Sequence, residues 1–421
     1  MKKEGKTSFE INNLAKLLFE RFNENWQKIS PEDFLAYLKS KIDQSIGFDD
    51  FEKKINQKKK LKIKMGIDPT GPDVHLGHLL PILVLRQFQK AGHKIDLIIG
   101  DFTAQIGDPS GRSSERKLLS DAQIKKNMAS YKKQISSFLD LKKITTHFNS
   151  TWLNKITLKK IISVFQKINV SEVLQREDFR KRLDSGHGLS MSEILYSYAQ
   201  AEDSVFLKSD VEVGGKDQLL NFAQARDVMS IYGLNPETAI TTPVLEGIFG
   251  DGKKMSKSLG NYIPVLSPAE EKFGKIMSVP DNLVVPYFRA FADLKSDEIE
   301  QIKSFVKINP MEAKKQLGMF LVAISQKKFE DGKIEREKFE KKFSKKEFGS
   351  ETPILKIKDG KNIFDALFET SEFKSRGELF RIFEQAGVRL IEPEKKVLDK
   401  KDIVKSGIVK VGKIKYYKII I

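Results

Sequence analysis

Two short segments carry residue types suited to holding a polyphosphate. One is Lys254-Met255-Ser256-Lys257-Ser258, set between Gly250-Asp251-Gly252 and Leu259-Gly260-Asn261. Two lysines three positions apart supply point charges, the hydroxyls supply small donors, and the glycine-rich flanks let the loop close. The other lies far upstream, Asp73-Val74-His75-Leu76-Gly77-His78. His75 and His78 share the first turn of an expected helix, whose free N–H groups and dipole favour a phosphate. Both imidazoles can donate to phosphate oxygens, and Gly77 leaves room for a base or ribose against the backbone. Singly, the basic loop also fits a solvated turn, and the histidines also fit one cap and one packed ring.

The surrounding elements favour the chemical reading. Residues 61–67 alternate like a strand, and a turn follows at Asp68-Pro69-Thr70-Gly71-Pro72. The apolar spacing then predicts a helix over about 75–91, stopped by Gly92, and a strand at 95–99. Strand, helix and strand in that order make a βαβ unit and imply a parallel sheet. Ligands of such sheets collect at the carboxyl ends of the strands, where Asp68 and Gly100-Asp101 stand. Residues 9–60 read as helical, as do 121–139, 158–168, 191–200 and 218–231, and a strand is expected near 240–245. The chain from 282 to 345 reads as mostly helical. Its last part, 326–345, alternates charge with phenylalanine as an exposed helix or linker would. A boundary at 346–353 precedes a small α+β unit over 354–421. No internal repeat is visible.

Composition bounds the rest. A chain of 421 residues exceeds one ordinary core and implies two or three domains. The absence of cysteine excludes disulfides, thiolate metal sites and cysteine nucleophiles. No apolar run reaches the roughly 20 residues of a membrane span, and the charged start lacks a signal-peptide core. The expectation is a soluble, cytoplasmic chain. A net charge of +17 suits a polyanionic partner, although a lysine-rich solvated surface would give the same number. The segment after Lys400 is rich in lysine and has one acid, Asp402.

The stretch from Gly66 to His78 resembles the first signature of bacterial tyrosyl-tRNA synthetases, and Lys254 to Ser258 resembles the second, KMSKS. Three further stretches agree in order: Ile106-Gly107-Asp108-Pro109-Ser110-Gly111-Arg112, Tyr196-x-x-x-Gln200-x-x-Asp203, and Gly214-Gly215-Lys216-Asp217-Gln218. Gly412-Lys413-Ile414-Lys415-Tyr416-Tyr417 is similar to the family's tail. The resemblance covers most of the chain. It implies a Rossmann-like parallel-sheet catalytic domain (1–281), a helical anticodon-binding domain (282–345), a linker (346–353) and a small α+β RNA-binding domain (354–421).

It also implies a two-step reaction. The tyrosine carboxylate attacks the α-phosphate of ATP, and a terminal ribose hydroxyl of the tRNA then takes the tyrosyl group. Lys254, Lys257, His75, His78 and Thr70 would hold the phosphates, with Gly77, Ser256, Ser258 and Asp217 completing the ATP site. Tyr196, Gln200 and Asp108 would take the tyrosine ammonium and Asp203 its phenol, with Gln218, Asp68, Asn149 and Lys64 around them. Mg²⁺ would travel with ATP, and no protein-ligated metal is expected. The implied partners are L-tyrosine, ATP, tRNA(Tyr) and a second copy in a homodimer. Ser375 to Leu390 resembles a small RNA-binding module in which Arg376, Arg381 and Arg389 could grip phosphates. Leu379, Ile382, Phe383 and Val388 of that stretch read as core.

Several positions depart from the family's better-known branch. Lys64 stands where that branch has a tyrosine, which places the chain in a second bacterial branch. There it could pair with Asp203 and depress its pKa, or point away. Ala104, Glu202 and Lys216 replace a glycine, an aromatic and a small hydroxyl residue. Two other readings are a tryptophanyl-type relative sharing the fold, and an RNA-binding paralogue without catalysis. The polar stripe of Tyr196, Gln200 and Asp203 argues against the first, and the intact lysines and histidines argue against the second.

Overall fold

Strand, helix and strand follow one another early in the chain as the apolar pattern requires, and they seed a six-stranded sheet. The computed structural model describes residues 13–24, 29–69, 71, 73–109, 120–174, 176–186, 188–343, 353–357, 360–373, 375–392, 396–412 and 415–420. The chain divides into two compact units, residues 1–336 and 337–421. The first holds β1 (Gln44–Ile46), β2 (Lys62–Ile67), β3 (Lys94–Ile99), β4 (Ile144–Phe148), β5 (Val211–Gly215) and β6 (Thr238–Thr242). Their order across the sheet is β1-β6-β5-β2-β3-β4. All neighbours run parallel except β1, which pairs antiparallel with β6.

β3 is buried along Ile95 to Ile99, as a parallel strand covered on both faces must be. The order reverses between β2 and β5. Such a reversal opens a crevice at the strands' carboxyl ends. The helix Leu76–Lys90 crosses from β2 to β3 and is apolar on nearly every side. It ends at Gly92, whose φ of 84° supplies the left-handed turn that leads into β3. Phe88 anchors it in an aromatic cluster, with ring centroids 5.5 Å from Phe34 and 5.9 Å from Phe51.

The 9–60 region, read as wholly helical, contains helices Leu14–Asn23, Pro31–Lys41 and Phe48–Asn56 and also the short edge strand β1. The pattern missed β4 and β5 as well. β4 is Ile-Thr-Thr-His-Phe, only partly buried, with no clean alternation. β5 hides a buried glutamate, Glu212, among its valines. Helices Asp281–Phe291, Ser296–Ile308, Pro310–Gln326 and Phe329–Phe343 fill the region read as helical. Pro310–Gln326 packs against Ala269–Met277 and Leu14–Asn23.

The second unit is a five-stranded sheet of β7 (Ile354–Lys356), β8 (Val388–Glu392), β9 (Lys396–Val397), β10 (Gly407–Val411) and β11 (Lys415–Ile420), in the order β7-β11-β10-β8-β9. Helices Ile363–Phe368 and Arg376–Glu384 belong to this unit. Leu379, Phe383 and Val388 are buried in its core, and Ile382 packs against that core.

Removing the Phe88 ring should loosen the element that carries the histidine motif. Phe88→Ala is expected to lower unfolding free energy by about 3–5 kcal/mol in urea denaturation. A loss below about 1 kcal/mol would mean the cluster does not anchor the helix.

Candidate active site

The crevice at the sheet's reversal is a cavity of about 590 Å³, within the usual range of roughly 300–1,000 Å³ for small-molecule sites. β2 delivers Asp68 to it, β5 delivers Asp217 and Gln218, and the helix Met191–Leu207 lays Tyr196, Gln200 and Asp203 along it. His75, His78, Lys254 and Lys257 line it too. The two polyphosphate-type segments, far apart in sequence, therefore share one wall.

At that end His75 caps the helix Leu76–Lys90. Its backbone N–H donates to His78 Nδ1 at 3.3 Å, and the rings stack with centroids 3.6 Å apart. With Nδ1 accepting, the neutral His78 ring carries its proton on Nε2. Burial lowers the pKa of His78 to about 3, helped by the positive charge of Lys257 and Lys254. Burial also takes His75 down to about 2, helped by His78, Lys257 and Lys254. Both imidazoles are neutral at pH 7, so each offers one N–H rather than a charge. His75 Nδ1 is buried with no hydrogen-bond partner among the described residues. A side chain at Gly77 would crowd the His75 ring, with Cβ only 3.1 Å away.

The lysine loop is pinned from beneath. Met255 is buried, and its N–H donates to the Leu245 carbonyl at 2.8 Å. Asn261 holds the loop across itself, accepting from the Ser256 N–H at 2.8 Å and donating to the Lys254 carbonyl at 3.1 Å. The Ser256 and Ser258 hydroxyls lie 2.9 Å apart. Lys254 Nζ is 4.0 Å from Asp217, and Lys257 Nζ stands 5.9 Å from the Tyr131 ring centre. Behind the loop, residues 263–265 pair with 74–76: the Leu76 N–H donates to the Ile263 carbonyl and the Val265 N–H to that of Val74. The buried Lys272 ammonium fixes the same segment by donating to the Val265 carbonyl at 2.7 Å.

The far end is lined with carboxylates. Asp68 accepts from the Tyr196 hydroxyl at 2.8 Å and from Thr103 at 2.7 Å. Gly100 is obligatory there, because a Cβ would overlap both Asp68 and Thr103. Asp108 accepts from Gln218 Nε2 at 2.6 Å. Asp203 is buried, and it accepts from the Trp152 indole at 2.9 Å and from Asn149 at 3.4 Å.

Of the two orientations open to Lys64, the structure has it turned to two glutamates and not ion-paired with Asp203. Its ammonium is fully buried and lies 2.8 Å from Glu212 and 3.6 Å from Glu237. The pKa of Asp203 is not depressed. Burial pushes its pKa up to about 7, and the opposing charge of Lys64 and the bonds from Trp152 and Asn149 do not offset that. Lys216 turns to Asp43, 3.0 Å away. Glu202 accepts from the Tyr198 and Tyr232 hydroxyls, each at 2.6 Å. Ala104 is packed and buried. Thr70, Ser110, Gly111, Arg112, Lys413 and Ile414 lie outside the described residues.

Trp152, Glu212 and Asn221 went unremarked as site residues in the sequence, and Thr103 was placed only by its position at the end of a strand. Only Trp152, three residues after Asn149, carried a usable signal. In the second unit Arg376, Arg381 and Arg389 are all exposed. Arg376 lies 2.5 Å from Asp365, and Arg389 donates to the Ala386 carbonyl at 3.1 Å.

The family model of the class I tRNA synthetases (W and Y) matches residues 56–342. A tyrosine–tRNA ligase of Thermotoga maritima is 41% identical over 364 residues, spanning 86% of this chain and 90% of its own. That of Aquifex aeolicus is 39% identical over 366 residues, spanning 86% and 92%. Among solved structures, a C-terminally truncated mitochondrial tyrosyl-tRNA synthetase of Aspergillus nidulans superposes with a TM-score of 0.62 at 24% identity, over 79% of this chain and 99% of that one. A tyrosyl-tRNA synthetase of Archaeoglobus fulgidus, complexed with L-tyrosine, gives 0.57 at 21% identity, over 73% and 100%. At those identities the structures share the fold.

The raised pKa of Asp203 ties stability to pH. The folded state holds a proton between about pH 4 and pH 7 that the unfolded chain releases, so stability falls as pH rises through that window. Measured by urea denaturation, wild type should lose ground against Asp203→Asn between about pH 5 and pH 7, by up to about 1.4 kcal/mol per pH unit. A gap between the two proteins that stays constant with pH would place the Asp203 pKa in the ordinary range.

Proposed function

Since the chain belongs to the class I tRNA synthetases of the tryptophan and tyrosine group, we propose that its cavity joins L-tyrosine to ATP and then serves tRNA in a second step. The overall activity is tyrosine–tRNA ligation, as in its relatives. One observation carries the division of labour. A single cavity has lysines and imidazoles at one end and, at the other, a buried carboxylate held by two N–H donors.

In the first step an oxygen of the tyrosine carboxylate bonds to the α-phosphorus as the bond to the bridging oxygen breaks and pyrophosphate leaves. A carboxylate is already a nucleophile, so no strong base is needed. The protein must bring two anions together and stabilise charge on the departing phosphates. Lys254 and Lys257 do this as point charges, assisted by Ser256, Ser258 and Thr70. His75 and His78 act as neutral donors, and the Nε2–H of His78 is fixed toward its task by the bond on Nδ1. Gly77 admits the nucleoside and Asp217 takes its ribose. ATP brings Mg²⁺ with its phosphates, and that hard cation finds its oxygen ligands there and in water.

Tyr196, Gln200 and Asp108 receive the ammonium, and Gln218 the carboxyl end. Asp203 accepts the phenolic O–H, with Asn149 and Trp152 holding it in place and Asp68 holding Tyr196. Lys64 acts at a distance, through its charge and through Glu212. Phenylalanine would leave Asp203 without that partner, which works against its binding. In the second step a hydroxyl of the 3′-terminal ribose attacks the tyrosyl carbonyl and AMP leaves. The helices between 282 and 345 read the anticodon, and the arginines of the second unit contact tRNA phosphates. Two copies act together as a homodimer in the cytoplasm.

Purified protein with Mg²⁺ should exchange pyrophosphate into ATP with tyrosine and not with tryptophan or phenylalanine. Exchange with tryptophan alone would overturn the pocket assignment, and none with any of them would overturn the enzymatic reading. Lys257→Met should lower kcat/KM for exchange by about 10²–10³ while tyrosine binding is kept. An unchanged rate would remove Lys257 from the phosphate site.

A further inference from the structure

Gln200 and Gln218 can each present either an oxygen or an amino group to the cavity, and nothing in an amide's shape decides which. A buried chain of hydrogen bonds decides it here. Asn221 is fully buried and donates from Nδ2 to Gln200 Oε1 and to Gln218 Oε1, both at 3.1 Å. Its Oδ1 accepts from the buried Arg176 guanidinium at 2.7 Å. With both glutamine oxygens turned toward Asn221, both amino groups turn outward. Gln218 Nε2 donates to Asp108 at 2.6 Å, and Gln200 Nε2 donates to Glu212 at 3.2 Å.

The direction of the whole chain follows from its first member. A guanidinium has donors and no acceptor and stays charged. Asn221 must therefore meet Arg176 with its oxygen and meet the glutamines with its amino group. Arg176 precedes the helix Glu177–Asp184 and is braced over the Phe179 ring, 4.6 Å from its centre. Reversing one amide would set oxygen against carboxylate at Asp108 or Glu212.

We infer that Arg176, acting through Asn221, is a positioning residue that sets the amide polarity of the ammonium subsite of the amino-acid pocket. The inference rests on the proposed assignment of Tyr196, Gln200 and Asp108 to the substrate ammonium. Arg176 touches no substrate. It turns the Gln218 amino group onto Asp108, whose remaining lone pairs are left for a cation, and so favours an α-ammonium over a neutral or absent group.

The test compares tyrosine with 3-(4-hydroxyphenyl)propionate, which keeps the phenol and carboxylate and lacks the ammonium. Binding of each to wild type, Arg176→Met, Arg176→Lys and Asn221→Asp is measured by calorimetry, with the KM for ATP from pyrophosphate exchange. Arg176→Met and Asn221→Asp should weaken tyrosine binding by about 10–100-fold. The deamino analogue, which keeps the carboxylate that Gln218 receives, should lose clearly less than tyrosine, the KM for ATP should stay within about two-fold, and Arg176→Lys should recover part of the loss. Asn221→Asp keeps an acceptor for Arg176 and sets an acceptor oxygen against both glutamine oxygens, so it decides the matter should Arg176→Met not fold. Equal loss for both ligands, or no loss, would overturn the inference. A wild type that binds the two ligands equally would instead overturn the ammonium assignment beneath it.

Discussion

The Lys64 ammonium, buried without solvent at the middle of the sheet, is the constraint around which the amino-acid pocket is arranged. A buried charge is tolerable only when paired. Lys64 on β2 lies directly across from Glu212 on β5 in the strand register, at the point where the sheet's order reverses. The pair thus joins the two halves of the sheet where the backbone pairing between them is short. Glu212 in turn takes Gln200, and Glu237 takes Ser204 at 2.8 Å and Lys64 at 3.6 Å. Lys64 sits against the glutamates, so its charge offsets only part of the burial penalty on Asp203, and the hydrogen bonds of Asp203 come from the neutral donors Trp152 and Asn149.

The two ends of the cavity handle charge in opposite ways. At the phosphate end the lysines carry the positive charge, half-exposed in the case of Lys254, and the imidazoles beside them are kept neutral. Positive potential there can answer a polyanion without four cations repelling one another in its absence. At the other end several acids share few cations, an arrangement that favours a ligand bringing its own positive group. The polarity of the cavity runs along the line on which an amino acid and ATP would meet.

Much of this was legible in the sequence where neighbouring residues carry the message. His75 to His78 and Lys254 to Ser258 are contiguous, and the βαβ unit between Leu61 and Ile99 announces itself by period and turn. The sequence was silent where function depends on partners remote along the chain. Lys64 meets glutamates 148 and 173 positions away, and no local pattern says that it prefers them to Asp203. Glu212 also disguised its own strand, since a charge in a short apolar run looks like a loop. Arg176 and Asn221 look like ordinary surface polar residues until the fold buries them together.

The neck of the lysine loop has a mechanical consequence. The Gly247 N–H donates to the Lys253 carbonyl and the Ile248 N–H to the Asn261 carbonyl, while the Asn261 side chain reaches back to Lys254 and Ser256. The loop is a closed ring rather than a free strap. It cannot lengthen, so an inserted or deleted residue between 254 and 261 would shear the ring. Its length is set by the reach of one asparagine.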